Sequence, residues 1–303
     1  MDRMCKRLIA GLGATALSGL ALALAGTASA DCRLTIQPTQ DQWLIRYDAF
    51  TDEGAQRQFD VALVNQGDTA CNGSIRIDLR GEPYGLSRNG EPERIPYALV
   101  DERSGNDVTP RAGQNARRLN ARPVDVAPGE RALVRFTFAT ATDAALGEGV
   151  YSQDAFISVD APDGTPLAER PVALAINVVP TAVMGLKGAF QRSNGVARIE
   201  IGELTEGVRS LSTSLYVFST GGYSVSVRSS NQGRLRLGSS EWYVAYGLLV
   251  DDKSMNLGQG DRFEVVSRRP RADDYALSVN IGDVRGKRAG NYTDVLTFTV
   301  AAL

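Results

Sequence analysis

The chain has 303 residues, 22% of them charged, a formal net charge of −2 and no histidine. The missing histidine removes Ser-His-Asp and Cys-His nucleophile arrangements, imidazole general bases and imidazole metal ligands together. The mild acidity argues against nucleic acid or an anionic membrane as the main partner.

Residues 1–30 read as a secretory signal peptide. Arg3, Lys6 and Arg7 precede an apolar run from Leu8 to about Ala25, and Ala28-Ser29-Ala30 forms a small-residue cleavage site before Asp31. A single membrane-anchoring helix is the competing reading, but no cationic flank follows. The leader carries three cations and Asp2, so its removal takes the formal charge from −2 to −4. Cys5 leaves with it, as does Gly11-Leu12-Gly13-Ala14-Thr15-Ala16, which imitates a dinucleotide-binding fingerprint. Cys32 and Cys71 remain, 39 residues apart, and one disulfide between them is expected in an exported chain. Such a loop closure stabilises by about 3–4 kcal/mol in the chain-entropy view.

From here the dominant signal is period two. Ile75, Ile77 and Leu79 alternate with Arg76, Asp78 and Arg80, which predicts a strand with one dry face. Tyr84 and Leu86 follow in a candidate adhesive loop. Val134, Phe136 and Phe138 alternate with Arg135 and Thr137, and later Tyr223, Val225 and Val227 with Ser224, Ser226 and Arg228. Asn65-Gln66-Gly67, Asn72-Gly73, Asn89-Gly90, Pro162-Asp163-Gly164, Gly221-Gly222 and Asn231-Gln232-Gly233 read as turns. Many short strands with this punctuation predict an all-β protein of two tandem immunoglobulin-like β-sandwich domains.

An internal repeat supports that count. Pro96-Tyr97-Ala98-Leu99-Val100-Asp101 has a partner in Ala245 to Asp251, and Gly149-Val150-Tyr151-Ser152 through Val159 in Gly290-Asn291-Tyr292-Thr293 through Val300. The boundary is expected near Pro180-Thr181, giving domains at 31–180 and 181–303. After the repeated Gly-x-Tyr strand the halves differ. The first continues through Asp163-Gly164 into Val172, Leu174, Ile176 and Val178, a complete final hairpin. In the second only Ala301, Ala302 and Leu303 follow, so the last strand of that sandwich is expected to be missing. A sandwich without its last strand exposes an unpaired edge that another chain can complete. Tyr292, Leu296, Phe298 and Val300 are the expected acceptor residues for that strand.

No chemistry gathers around the acids. Asp251-Asp252 and Asp273-Asp274 are adjacent pairs, whose side chains diverge on a strand. Arg268-Arg269-Pro270-Arg271 precedes the second pair and reads as a self-compensated loop. No cofactor, metal or enzymatic activity is expected.

The Gly290-x-Tyr292-Thr293-Asp294 to Val300 segment, the Tyr246-x-Leu248-x-x-Asp251 element and the early cysteine pair together resemble the spore coat protein U-like subunits of archaic chaperone-usher pili. The resemblance implies an incomplete immunoglobulin-like fold, a periplasmic pilus chaperone that lends a strand, an outer-membrane usher, and a neighbouring subunit that donates the final strand. Shaft subunits of that family carry a donor extension ahead of the first cysteine. Here Cys32 is the second residue after the expected cleavage site. That departure implies the tip, where an adhesin domain precedes an incomplete pilin domain, and a path through the periplasm to the cell surface. The receptor stays unassigned. The competing reading is a periplasmic or secreted carbohydrate-binding protein of two complete sandwiches.

Overall fold

The structure, a computed structural model, describes residues 31–51, 54–88, 92–111, 122–141 and 146–303. The expected leader and the Asn89-Gly90 turn lie outside the described residues. Those described are all β, with no α-helix among them. Strands β1 to β6 are Leu34–Pro38, Gln42–Tyr47, Gln56–Asn65, Cys71–Asp78, Leu86–Ser87 and Arg94–Ile95. Strands β7 to β12 are Tyr97–Asp101, Asn106–Asp107, Val124–Val126, Arg131–Thr140, Gly149–Asp160 and Pro166–Val178. Strands β13 to β18 are Ala182–Gly188, Gln191–Ser193, Val196–Arg198, Gly207–Ser219, Tyr223–Ser229 and Arg234–Leu237. Strands β19 to β24 are Tyr243–Val250, Lys253–Met255, Asp261–Val265, Arg271–Ile281, Tyr292–Thr293 and Leu296–Ala302.

In the first half one sheet runs β1-β3-β10-β7-β8 and the other β2-β12-β11-β4-β9. Taking β1, β3, β10 and β7 as strands A, B, E and D, and β4, β11 and β12 as C, F and G, gives the strand order of an immunoglobulin sandwich. The period-two reading explains the core, because Val134, Phe136 and Phe138 all point into it and are fully buried. Trp43 of β2 stacks on Phe59 of β3 at 5.2 Å between ring centroids. Cys32 and Cys71 are disulfide-bonded, which ties the segment before β1 to the start of β4.

Asn72-Gly73 is not a turn. Both residues lie inside β4, and a Cβ on Gly73 would come within 2.8 Å of the Asp160 carbonyl and the Val159 side chain. Glycine is needed there for close approach of β11, not for chain reversal.

The second half repeats the pattern with one strand fewer. β13, β16, β22 and β19 are again A, B, E and D of a sheet that continues to β18 and β23, while β17 and β24 are C and F, with β21 on the far side of β17. Among the described residues no strand occupies the G position that β12 fills in the first half. The buried residues form two separate clusters, one from Leu34 to Val178 and one from Leu215 to Ile281. Between the halves the Glu148 amide donates to the Thr220 carbonyl at 2.9 Å and Arg88 to the Arg268 carbonyl at 3.5 Å.

Candidate functional site

The two repeated motifs meet in space, in the same way in each half. Tyr97 on β7 donates its hydroxyl to Gln153 Oε1 on β11 at 3.0 Å, and Tyr246 on β19 donates to Asp294 Oδ2 at 2.7 Å. Gln153 and Asp294 each stand four residues after the motif glycine, Gly149 or Gly290. Burial, then the Asp294 carboxylate, pushes the Tyr246 hydroxyl above its ordinary pKa, so it stays a donor. Asp294 also accepts from Ser229 Oγ at 2.5 Å and from the Asn231 amide at 3.0 Å.

This knot corrects the expected single strand from Tyr292 to Val300. At Asp294 the chain changes sheets: Tyr292 pairs with Leu237 of β18, while β24 pairs with β17 from Leu296 onward. Tyr292 therefore stands apart from the other three acceptor residues, with its hydroxyl donated to the Arg288 carbonyl at 2.7 Å.

Leu296, Phe298 and Val300 share one face of β24 and pack on the second core, but remain half-buried. By the motif register their counterparts on β11 are Ala155, Ile157 and Val159, all fully buried. What differs is the lid. β11 is flanked by β4 and β12, whereas β24 pairs only with β17 and β13 only with β16 among the described residues. Ala182, Met184 and Leu186 of β13, which comes close to β24 without pairing with it, are half-buried as well. In the first half β12 fills that place with Val172, Leu174, Ile176 and Val178, running antiparallel to β11 and parallel to β2.

The first half has an open edge too, and it is blunted. β2 covers β12 only from Ala173 onward, and the Ala173 amide points to that side, donating to the Asp41 carbonyl. Alternation places the nitrogen of Pro171 on the same outer edge, where it has no hydrogen to offer. Neither β13 nor β24 contains a proline. The β13 wall escaped the sequence reading because Gly185 and Gly188 look like a break. The alternation of Ala182, Met184 and Leu186 was the available signal. Gly185 is in fact covered by the ring of Tyr216, which a Cβ there would meet at 2.4–2.8 Å.

The Tyr84 and Leu86 reading is overturned. Leu86 is fully buried in β5, and Tyr84 exchanges hydrogen bonds with the Tyr97 backbone while its ring packs on Tyr97 at 4.9 Å. An apolar side chain in an apparent loop was being used to close the core. The acid pairs do not converge either. Asp251 and Asp252 occupy a left-handed turn at φ 46 and 64, and Asp251 accepts from the Ala276 amide at 2.7 Å. Asp273 pairs with Arg271 and accepts from Tyr223 Oη at 2.6 Å, while Asp274 pairs with Lys187. Among the described residues no three acidic or cysteine side chains gather as a metal site.

No protein-family model matches the sequence, and no curated protein matches it. Solved structures with related architecture include several from pilus systems. A chain of the chaperone and tip adhesion subunit pre-assembly complex from the archaic chaperone-usher Csu pili of Acinetobacter baumannii is 14% identical, covering 86% of this chain and 97% of that one, with a TM-score of 0.47. The CupB6 tip adhesin of Pseudomonas aeruginosa is 10% identical over 88% of this chain and 94% of its own, with a TM-score of 0.36. The CooA pilin subunit of enterotoxigenic Escherichia coli is 12% identical, covering 49% of this chain and 99% of its own, with a TM-score of 0.34. All three scores lie below 0.5, so the functional reading rests on the open edges themselves.

Proposed function

We propose that the chain is a non-catalytic subunit of a chaperone-usher pilus whose second sandwich, residues 181–303, is completed by a strand from another protein, and that residues 31–180 form a self-complete adhesin domain at the tip. The observation that carries this is the pair of unpaired, proline-free edges of β13 and β24 beside half-buried apolar rows; the two strands come close without hydrogen-bonding, so an entering strand would part them to take the position that β12 holds in the first half. An edge of this kind is an aggregation hazard unless something covers it. The covering element that suits it is a strand with apolar residues at alternate positions, bound through main-chain ladders and side-chain pockets. A periplasmic chaperone would lend that strand first and a neighbouring subunit would replace it at the usher. The tip position rests on the expected cleavage before Asp31, which would put Cys32 second in the mature chain.

Two measurements test this. The full chain extended after Leu303 by a turn and a strand of four alternating apolar residues should become monomeric, while the unextended chain self-associates or captures such a strand supplied as a peptide. A monomeric unextended chain whose β24 amides exchange as slowly as those of β11 would overturn the proposal. Intact mass of the exported protein reports the cleavage site, and a mature chain beginning well before Asp31 would remove the tip assignment alone.

A further inference from the structure

The sheet edge farthest from the open groove carries a different surface. On β18 and β19, Leu235 and Val244 point inward, so Arg234, Arg236 and Tyr243 share the outer face, with Arg236 opposite Tyr243 and Arg234 opposite Ala245. Arg234 lies over the Tyr243 ring at 4.7 Å from its centroid, and Lys287 reaches the same ring at 4.9 Å. Trp242, the residue before Tyr243 at the end of the turn, is 43% exposed. The turn between the strands is pinned by the Leu237 amide donating to the Trp242 carbonyl at 3.1 Å, by Ser240 Oγ to the Leu237 carbonyl at 2.6 Å and by Arg236 to the Ser240 carbonyl at 3.0 Å. The turn that carries both aromatic residues is therefore held before any ligand arrives.

Charge on this face is not what composition predicts for a chain of net −2. Arg285 is paired with Asp283 at 2.9 Å, and among the described residues the one acid that Arg236 reaches is the fully exposed Glu241 at 4.0 Å. Arg234, Lys287 and Arg288 take part in no ion pair among the described residues. The exposed Trp242 ring offers a flat surface for the C–H face of a sugar ring, while the Tyr243 ring holds Arg234 and Lys287 in place. Neighbouring guanidinium and ammonium groups match carboxylate or sulfate groups on the same polymer. A lipid surface would call for a broader apolar face than one tryptophan and one tyrosine. The site lies on β18, four strands from β13, about 19 Å across the sheet, so a strand in the groove would leave it uncovered.

We propose that Trp242, Tyr243, Arg234 and Lys287 form a binding site for acidic polysaccharide, independent of strand completion. The test is binding of the full chain to immobilised heparin, a sulfated and uronate-bearing polysaccharide, against neutral dextran. Binding to heparin alone is expected, weakening as salt is raised past about 0.1 M, where the screening length is near 10 Å. The double substitution Arg234→Gln and Lys287→Gln should weaken it about tenfold or more. Trp242→Ala, which leaves the charge unchanged, should also weaken it, a response that diffuse charge attraction would not give. Equal binding to dextran, no binding, unchanged binding by these surface variants, or equal affinity for anionic vesicles or duplex DNA would each overturn the proposal. Because the substituted side chains lie on the outer face of β18 and β19, four strands from β13, none of these results bears on strand capture.

Discussion

At the scale of single residues the fold rests on a few side chains whose surroundings admit no neighbour of another kind. Gly73 is one: with β11 at 2.8 Å from where its Cβ would be, Gly73→Val should cost about 1–3 kcal/mol in urea unfolding. Asp273 is another. Burial works against its charge, but the hydrogen bonds from Arg271 and Tyr223 outweigh that and hold its pKa below the ordinary 3.8. A carboxyl more acidic in the folded than in the unfolded chain stabilises the fold when ionised, so its contribution is present above 3.8 and is lost as pH falls through the lower folded value. The urea midpoint of the wild type should therefore drop on acidification below 3.8, and Asp273→Asn should show a flatter profile over that interval. Residue identity alone misled at Tyr84, Leu86 and Asn72-Gly73, because burial and close approach are set by strands distant in sequence. The Cys32–Cys71 pair, by contrast, was legible from count and compartment.

Elements were legible where alternation was strict and obscure where the chain changes sheets. Val134 to Phe138 and Tyr223 to Val227 follow the period-two reading directly. The break at Asp294 does not announce itself, because Tyr292-Thr293 and Leu296-Thr297 keep the same alternation across it, and only the partners of Asp294 divide them. The matched positions Ile157 and Phe298 turn this into a measurement. Ile157 is sealed between β4 and β12, so Ile157→Ala should cost about 2–5 kcal/mol. Phe298 is the larger side chain but is half-buried, so Phe298→Ala should cost only about 1–2 kcal/mol in the unextended chain. In the strand-extended chain, where the groove is covered, the cost of Phe298→Ala should rise toward that of a sealed phenylalanine. Equal costs in both backgrounds would mean that the added strand does not lie on β24.

Over the whole molecule the inequality of the halves sets the order of unfolding. The first half closes its core with β12, blunts its remaining edge with Pro171 and carries the disulfide. The second leaves its apolar rows half-exposed, and the two buried clusters are separate, with the Glu148 amide donating to Thr220, the Thr220 hydroxyl to Val179 and Arg88 to the Arg268 carbonyl among the contacts between the halves. Two separate buried clusters need not unfold together, so calorimetry of the full chain should resolve two transitions rather than one. The lower should belong to the second half and should move up when a strand peptide binds. At a peptide concentration about a hundred times its dissociation constant the gain is about 2.7 kcal/mol, or roughly 10 °C or more for a sandwich of this size. Reduction of Cys32–Cys71 should lower the upper transition and leave the lower one in place, because the bond closes a loop wholly within the first half. A single transition that responds to both treatments would mean that the halves share one cooperative core, and the open edge would then be a local feature of one unit rather than the mark of an unfinished one.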